Sequence, residues 1–357
     1  MRFEDKRSDI VKEGELFISK LVGDVYILGT NCYGLSLAFW LEKRGYNFVG
    51  FVNDFLPDDQ FSGFKVYRSN ECSEGASIVN CIVEGRSIDG LTTIRKMGFK
   101  NQVSYFSLHA AFKDELPEIQ FLDDTQSILG ELDGYYWVFD LLQDDTSRSH
   151  FESITNFRFN RDISFLESFK FNIKGQYFEE FLELGEKPTF VDGGGFDGFT
   201  SSLFSKIYPD YSEIYCFEPS QGSFETAREN LKDLVNVHVV KKGLWDTPTK
   251  LTFDATLGSA SKISADGVIT IETTTIDEIG AGKVDFIKLD IEGAERRALL
   301  GAKETILRDR PKIAVCVYHN QSDFVEIPKL VLGIRSDYRV FLRHYTQGVF
   351  ETVMYFI

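Results

Sequence analysis

Positive charge is in short supply: 39 Lys and Arg stand against 55 Asp and Glu, a formal net charge of −16. A phosphate backbone would meet a repulsive average field, so nucleic acid is not an expected partner, and neither is an anionic membrane surface. Cysteine is also sparse. Cys32, Cys72, Cys81, Cys216 and Cys316 are odd in number and contain no C-x-x-C pair, which argues against a disulfide framework and for reduced residues, three of them in apolar runs. The other histidines, His109, His150, His238 and His344, lack ligand spacing, so a zinc site is not expected. No segment approaches the roughly 18 uncharged residues of a membrane span. Arg2, Glu4, Asp5, Lys6 and Arg7 replace an apolar leader, and a cytoplasmic protein is expected. Repeats and low-complexity tracts are missing too. What the chain does have is 33 Phe in 357 residues, enough apolar bulk and length for two domains with sizeable cores.

Glycine is concentrated at one point. The apolar run Thr189-Phe190-Val191 leads into Asp192, and Gly193, Gly194, Gly195 and Gly198 follow. Glycine permits positive φ and close approach of a ligand to backbone, and the helix expected next would turn its free N–H groups toward a crevice. Gly193, Gly195 and Gly198 satisfy the G-x-G-x-x-G spacing of dinucleotide loops. Asp192 favours another ligand, because a carboxylate there repels a pyrophosphate and attracts the ammonium and sulfonium of S-adenosylmethionine. S-adenosylmethionine is therefore the expected cofactor. The next strand signal, Glu213 to Phe217, ends at Glu218-Pro219, where a carboxylate can accept both ribose hydroxyls. Trp245 and Asp246, beyond the strand signal Val237 to Val240, are candidates for the adenine.

Two strand-loop-helix-strand signatures, opening at Val25 and Phe190, predict two α/β sheets in tandem. Residues 1–112 are read as a Rossmann-like domain, 113–172 as a mainly helical connector and 173–357 as a second domain that begins with a helix over Gln176 to Leu184. In that second domain strands and helices alternate, and a helix is predicted near Ala294 to Arg308. Tyr338 to Leu342 and Thr352 to Ile357 are too close in sequence for a crossover helix, so they must pair antiparallel. A mostly parallel sheet closed by such a hairpin is the outline of the seven-stranded class I methyltransferase fold.

In an open parallel sheet the ligand sits beyond the carboxyl ends of the strands. Asp192, Glu218, Asp290 with Glu292, and His319 all fall at such ends. A hydroxyl acceptor of a methyl group needs a base or a metal, and His319 and Asp290 are the catalytic candidates. An unperturbed imidazole, with a pKa of about 6.5, would be largely neutral and able to take a proton. Asp290 with Glu292 around magnesium is the less favoured alternative. Glu292 is otherwise a substrate contact or a favourable charge at a helix start, and Ser259 and Ser261 are candidates to face the substrate.

Four blocks in order carry a family resemblance: Phe190 to Gly198, Phe217-Glu218-Pro219-Ser220, Lys288 to Glu295, and Lys312 to His319. From about Gln176 onward the chain resembles FkbM-type methyltransferases. The resemblance implies S-adenosylmethionine-dependent O-methylation, often of sugar hydroxyls in carbohydrate biosynthesis, with a small-molecule substrate such as a sugar or nucleotide-sugar. Many members carry Asn where this chain has Phe196. The first domain resembles the small Rossmann-like domain that precedes bacterial sugar acyltransferases, through Ile27 to Gly34 and Gly45 to Asp54. That likeness implies binding of a nucleotide-sugar, with Asp54 near a ribose; a scaffold or homodimer contact is the alternative. Two other functions remain open at this point, a nucleotide-sugar oxidoreductase using NAD(P) and a non-catalytic nucleotide-sugar-binding protein.

Overall fold

A computed structural model describes residues 1–73, 75–122, 126–254, 262–263 and 269–357. The chain divides into two compact units. Unit 1 comprises residues 1–131, 149–174 and 344–351, and unit 2 comprises 132–148, 175–343 and 352–357. The connecting stretch is helical, with helices Gln126–Gly130, Leu132–Leu141 and Asp145–Asn160, and it is shared between the units.

Unit 1 is built on β1 (Asp24–Leu28), β2 (Asn47–Val52), β3 (Gln60–Phe61), β4 (Phe64–Tyr67), β5 (Ser77–Asn80) and β6 (Asn101–Ser104). They form one sheet in the order β3-β4-β2-β1-β5-β6, parallel throughout except for β3 against β4. The central strands are buried, as near-continuous apolar runs in parallel sheets should be. Tyr26, Leu28, Val52, Ile78, Ile94 and Phe99 pack together as one core. Gly98 closes the helix Ser87–Met97 with φ of 78°, a left-handed turn that glycine adopts without a Cβ clash.

Unit 2 holds β7 (Thr189–Gly193), β8 (Glu213–Phe217), β9 (Val237–Val240), β10 (Gly243–Leu244), β11 (Lys250–Asp254), β12 (Lys262–Ile263), β13 (Ile269–Thr274), β14 (Phe286–Leu289), β15 (Lys312–Cys316), β16 (Val340–His344) and β17 (Thr352–Phe356). Seven of them make the principal sheet, in the order β16-β17-β15-β14-β7-β8-β9. β17 runs antiparallel to β15, and Arg339 and Ile357 exchange both backbone hydrogen bonds at 2.9 Å, the antiparallel pattern expected of the terminal hairpin. This is the class I methyltransferase strand arrangement. A smaller sheet, β10-β13-β11-β12, was not anticipated from the sequence.

Phe190 on β7 stacks on Phe204 at 4.5 Å and on Phe286 of β14 at 5.1 Å. These rings lock the two strands whose ends carry Asp192 and Asp290. Two helix expectations are corrected. No helix spans Gln176 to Leu184; the chain there is irregular and Tyr177 has φ of 71°. Its aromatic residues are anchored one by one instead, Phe181 stacking on Phe341 at 4.4 Å and Phe178 lying against Phe286 at 6.2 Å. The helix expected over Ala294 to Arg308 is two helices, Glu295–Leu300 and Lys303–Asp309. They part at Gly301, where a Cβ would lie 2.1 Å from the Trp245 carbonyl oxygen.

Candidate active site

The glycine turn after β7 is shaped by the protein itself. A Cβ on Gly194, whose φ is 78°, would sit 1.8 Å from the Asp290 carbonyl oxygen, and one on Gly195 would sit 2.2 Å from Cys216 Sγ. Gly193 and Gly198 are bounded less tightly, by Leu289 and Leu244 side chains at 2.8 Å and by the Leu231 side chain at 2.9 Å. The turn also satisfies its own amides. Gly194 and Gly195 donate to Phe217 O, Gly198 to Gly195 O, Phe196 to Glu218 Oε2 and Phe199 to Asp197 Oδ1, all at 2.7–3.0 Å. The expected fan of free N–H groups is thus largely spent, and a diphosphate would find few donors there.

Asp192 occupies a different place from the one its chemistry suggested. Its side chain is buried beneath the turn, accepts a hydrogen bond from Ser201 Oγ at 2.7 Å and pairs with Lys288 Nζ at 3.1 Å. It therefore presents no free carboxylate to a ligand, and its charge is met by the lysine. Lys288 also donates to the Gly193 and Gly194 carbonyls at 3.1 and 2.8 Å, stapling the turn from below. Burial opposes its charge, yet Asp192 and Asp290 raise its pKa. Sequence reading missed Lys288, although a lysine inside the apolar run Phe286-Ile287-Lys288-Leu289 is itself a signal, since buried lysines need a partner.

Glu218 lies at the end of β8 with its oxygens receiving Phe196 N–H at 3.0 Å and Ser220 N–H at 2.8 Å. Burial pushes its pKa up, while those N–H groups pull it back. A carboxylate offers about four lone-pair sites, so acceptor capacity for two ribose hydroxyls remains. Asp246 is paired with Arg297, whose guanidinium lies 5.4 Å from the Trp245 ring centroid. The turn and Glu218 fit an adenosyl group, and Asp246 could reach it only with lone pairs that Arg297 leaves.

At the ends of β14 and β15 a second group gathers. Asp290 accepts from Tyr177 OH at 2.8 Å and from Tyr318 OH at 3.3 Å. His319 is buried, with Nδ1 2.9 Å from Glu295 Oε1 and Nε2 3.4 and 3.5 Å from Asp290 and Glu292. Burial alone would depress its pKa, but Glu295, Asp290 and Glu292 outweigh it and raise the value to about 10. At neutral pH it is an imidazolium, so the expected neutral base is not what this environment makes. Asp290 moves oppositely: burial would raise it, and the charges of Lys288 and His319 hold it below the usual carboxylate range. Asp290, Glu295 and His319 bring one ligand atom each within 4.8 Å. Magnesium takes a near-octahedral set of oxygen ligands, and of these three groups only the two carboxylates supply oxygen, so the set fits it poorly. Tyr177, Tyr318 and Glu295 were not singled out from sequence; only Glu295, beside Glu292 in Glu292-Gly293-Ala294-Glu295, carried a visible hint.

Ser259 and Ser261 lie outside the described residues. Asp54 in unit 1 is exposed and its carboxylate accepts from Ser69 N–H at 2.8 Å. Among the described residues no helix is long and apolar enough to cross a membrane.

The solved structure of Methyltransferase FkbM from Methylobacillus flagellatus KT matches the fold with a TM-score of 0.72 over 98% of both chains, at 20% identity. The 2-O-methyltransferase NoeI of Sinorhizobium fredii (strain NBRC 101917 / NGR234) is 25% identical over 158 residues, which are 37% of this chain and 65% of the relative's length. The family described as Methyltransferase FkbM domain matches residues 192–344. That span begins at Asp192 and takes in Glu218, Asp290 and His319, so residues 192–344 are similar to a methyltransferase FkbM domain.

Proposed function

We propose that the protein is an S-adenosylmethionine-dependent O-methyltransferase whose acceptor is a hydroxyl of a sugar, nucleotide-sugar or glycoconjugate precursor. The observation that carries the reading is the Asp290 carboxylate, aimed by two tyrosine hydroxyls at the carboxyl end of β14, one strand across from the glycine turn. When bound, the cofactor supplies an electrophilic methyl carbon, whose bond to sulfur breaks as a bond to the acceptor oxygen forms, leaving S-adenosylhomocysteine.

Glu218 holds the adenosyl ribose by accepting its hydroxyls. Asp290 receives the acceptor's hydroxyl hydrogen and fixes which lone pair faces the methyl carbon. Its lowered pKa suits a late proton transfer: as the oxygen is alkylated its proton becomes strongly acidic, and even a weak carboxylate base takes it. His319, as an imidazolium pinned by Glu295, orients Asp290 and steadies its negative charge. The NoeI likeness supports oxygen as the methylated atom, and S-adenosylmethionine rather than a nicotinamide suits a turn with few spare amides.

Calorimetry with S-adenosylhomocysteine, followed by mass spectrometry of a sugar and nucleotide-sugar panel incubated with the methyl donor, tests this reading. Binding and a methyl-sized mass gain are expected. Absence of cofactor binding by the folded protein would remove it. Asp290→Asn should abolish single-turnover transfer while cofactor affinity is nearly kept.

A further inference from the structure

Unit 1 has its own reversal of strand order. The chain passes from β1 to β2 and β4 on one side and returns to β5 and β6 on the other. The crevice beyond the carboxyl ends of β1 and β5 is where such a sheet leaves room for a ligand. A cavity of about 460 Å³ opens at those ends, lined by Asn31, by Ile82 to Arg86, and by residues of 171–173 and 346–351, all within unit 1.

One wall is firmly built. Gln347 N–H donates to Gly85 O at 2.8 Å, Ser87 N–H donates to Gln347 O at 3.3 Å, and a Cβ on Gly348 would lie 2.1 Å from Glu84 O. Backbone therefore packs on backbone along Glu84 and Gly85. Glu351, on the same rim, is held at φ of 67°, a conformation costly for a non-glycine residue.

Most polar groups around the space are already engaged. Asn31 accepts from Gly34 N–H at 2.9 Å and donates to Cys81 O at 2.8 Å. Thr346 Oγ1 donates to Phe350 O at 2.7 Å. Arg86 pairs with Asp89 at 3.0 Å and lies over the Phe171 ring at 3.9 Å. Glu84 is the exception: exposed at the mouth of the cavity, it has no hydrogen-bond or ion-pair partner among the described residues, and partial desolvation lifts its pKa above the usual carboxylate range.

A ligand must then donate hydrogen bonds to Glu84 and lay apolar surface on Phe350 and Ile82. A phosphate fails, because Glu84 and Glu351 repel it and Arg86 is already neutralised by Asp89. A planar base loses the Phe171 face to the Arg86 guanidinium. A pyranose suits both demands, with hydroxyls that donate and a C–H face that needs only apolar contact. We propose that this cavity binds a neutral saccharide unit, with Glu84 accepting its hydroxyl hydrogens. The inference concerns binding alone and needs no methyl transfer.

Saturation-transfer NMR on the full-length protein tests it, using the methyl glycosides of glucose, galactose, mannose and N-acetylglucosamine, with adenosine and UDP as comparison probes. At least one glycoside should respond, with affinity about tenfold weaker in Glu84→Gln, the loss of one charge-assisted hydrogen bond. The thermal midpoint should be unchanged in that variant, and Asp290→Asn should keep the response. The proposal is overturned by silence from all the glycosides, by an unaltered response in Glu84→Gln, by a response lost in Asp290→Asn but kept in Glu84→Gln, or by a response to adenosine or UDP alone.

Discussion

Three buried histidines separate the two units. His109 in unit 1, His344 at the end of β16 but grouped with unit 1, and His319 in unit 2 are each no more than 4% exposed, so desolvation disfavours the charged ring in all three. His109 falls to about 4 and His344 to about 3, each through burial first and then nearby positive charge, from Arg161 and Lys113 for one and from His150 and Arg158 for the other. His319 rises to about 10 because Glu295, Asp290 and Glu292 surround it. Equal burial with opposite outcomes shows that the neighbouring charges decide. Unit 1 uses histidine as a neutral core residue, while unit 2 concentrates paired charge at the ends of β14 and β15.

The most forceful way to break the comparison is to unbalance unit 2's buried charge. Lys288→Met leaves Asp192 buried without its cation and should cost about 3–5 kcal/mol in urea denaturation, most of it regained in the double variant with Asp192→Asn. A single-variant loss below about 1 kcal/mol would mean that the pair carries little of the site's architecture. Next in size, Glu218→Ala should weaken S-adenosylhomocysteine binding about a hundredfold by calorimetry, two charge-assisted hydrogen bonds at roughly 1.4 kcal/mol each.

The histidines sharpen the contrast through pH. The unfolded value is about 6.5 for each. For His319 the folded value is higher, so its stabilisation is complete below about 6.5 and disappears as pH climbs through about 10. For His109 and His344 the folded values are lower, so their contribution is present above about 6.5 and disappears as pH falls through about 4 and about 3. Histidine NMR titration with hydrogen exchange of β14 and β5 peptides should show alkaline loosening in unit 2 and acid loosening in unit 1. The smallest effect is expected at Phe196, exposed and held at φ of 47°. Phe196→Asn should stabilise by about 1 kcal/mol in thermal unfolding, because Asn tolerates the left-handed region better.

Much of this was legible from residue order alone. Strand-end acids, the glycine turn and the terminal hairpin follow from local periodicity and punctuation, and the structure puts Glu218, Asp290, Glu292 and His319 at strand ends. What escaped was pairing across strands. The register that sets Lys288 beside Asp192 is a tertiary fact, and it turned an expected ligand contact into an internal ion pair. Likewise the charge on His319 depends on Glu295, which reaches back across a tight turn where Glu292 and Gly293 have φ of 58° and 95°. The false helix at Gln176 to Leu184 failed because its apolar spacing serves separate aromatic anchors.

The hairpin connection 344–351 is grouped with unit 1 although both flanking strands join the principal sheet of unit 2, and the chain passes between the groupings at 131/132, 148/149, 174/175, 343/344 and 351/352. No single protease cut or gene truncation can therefore liberate either half intact. A fragment starting near residue 175 would carry a loop stripped of its native packing, and evolution could exchange the halves only by replacing several segments at once.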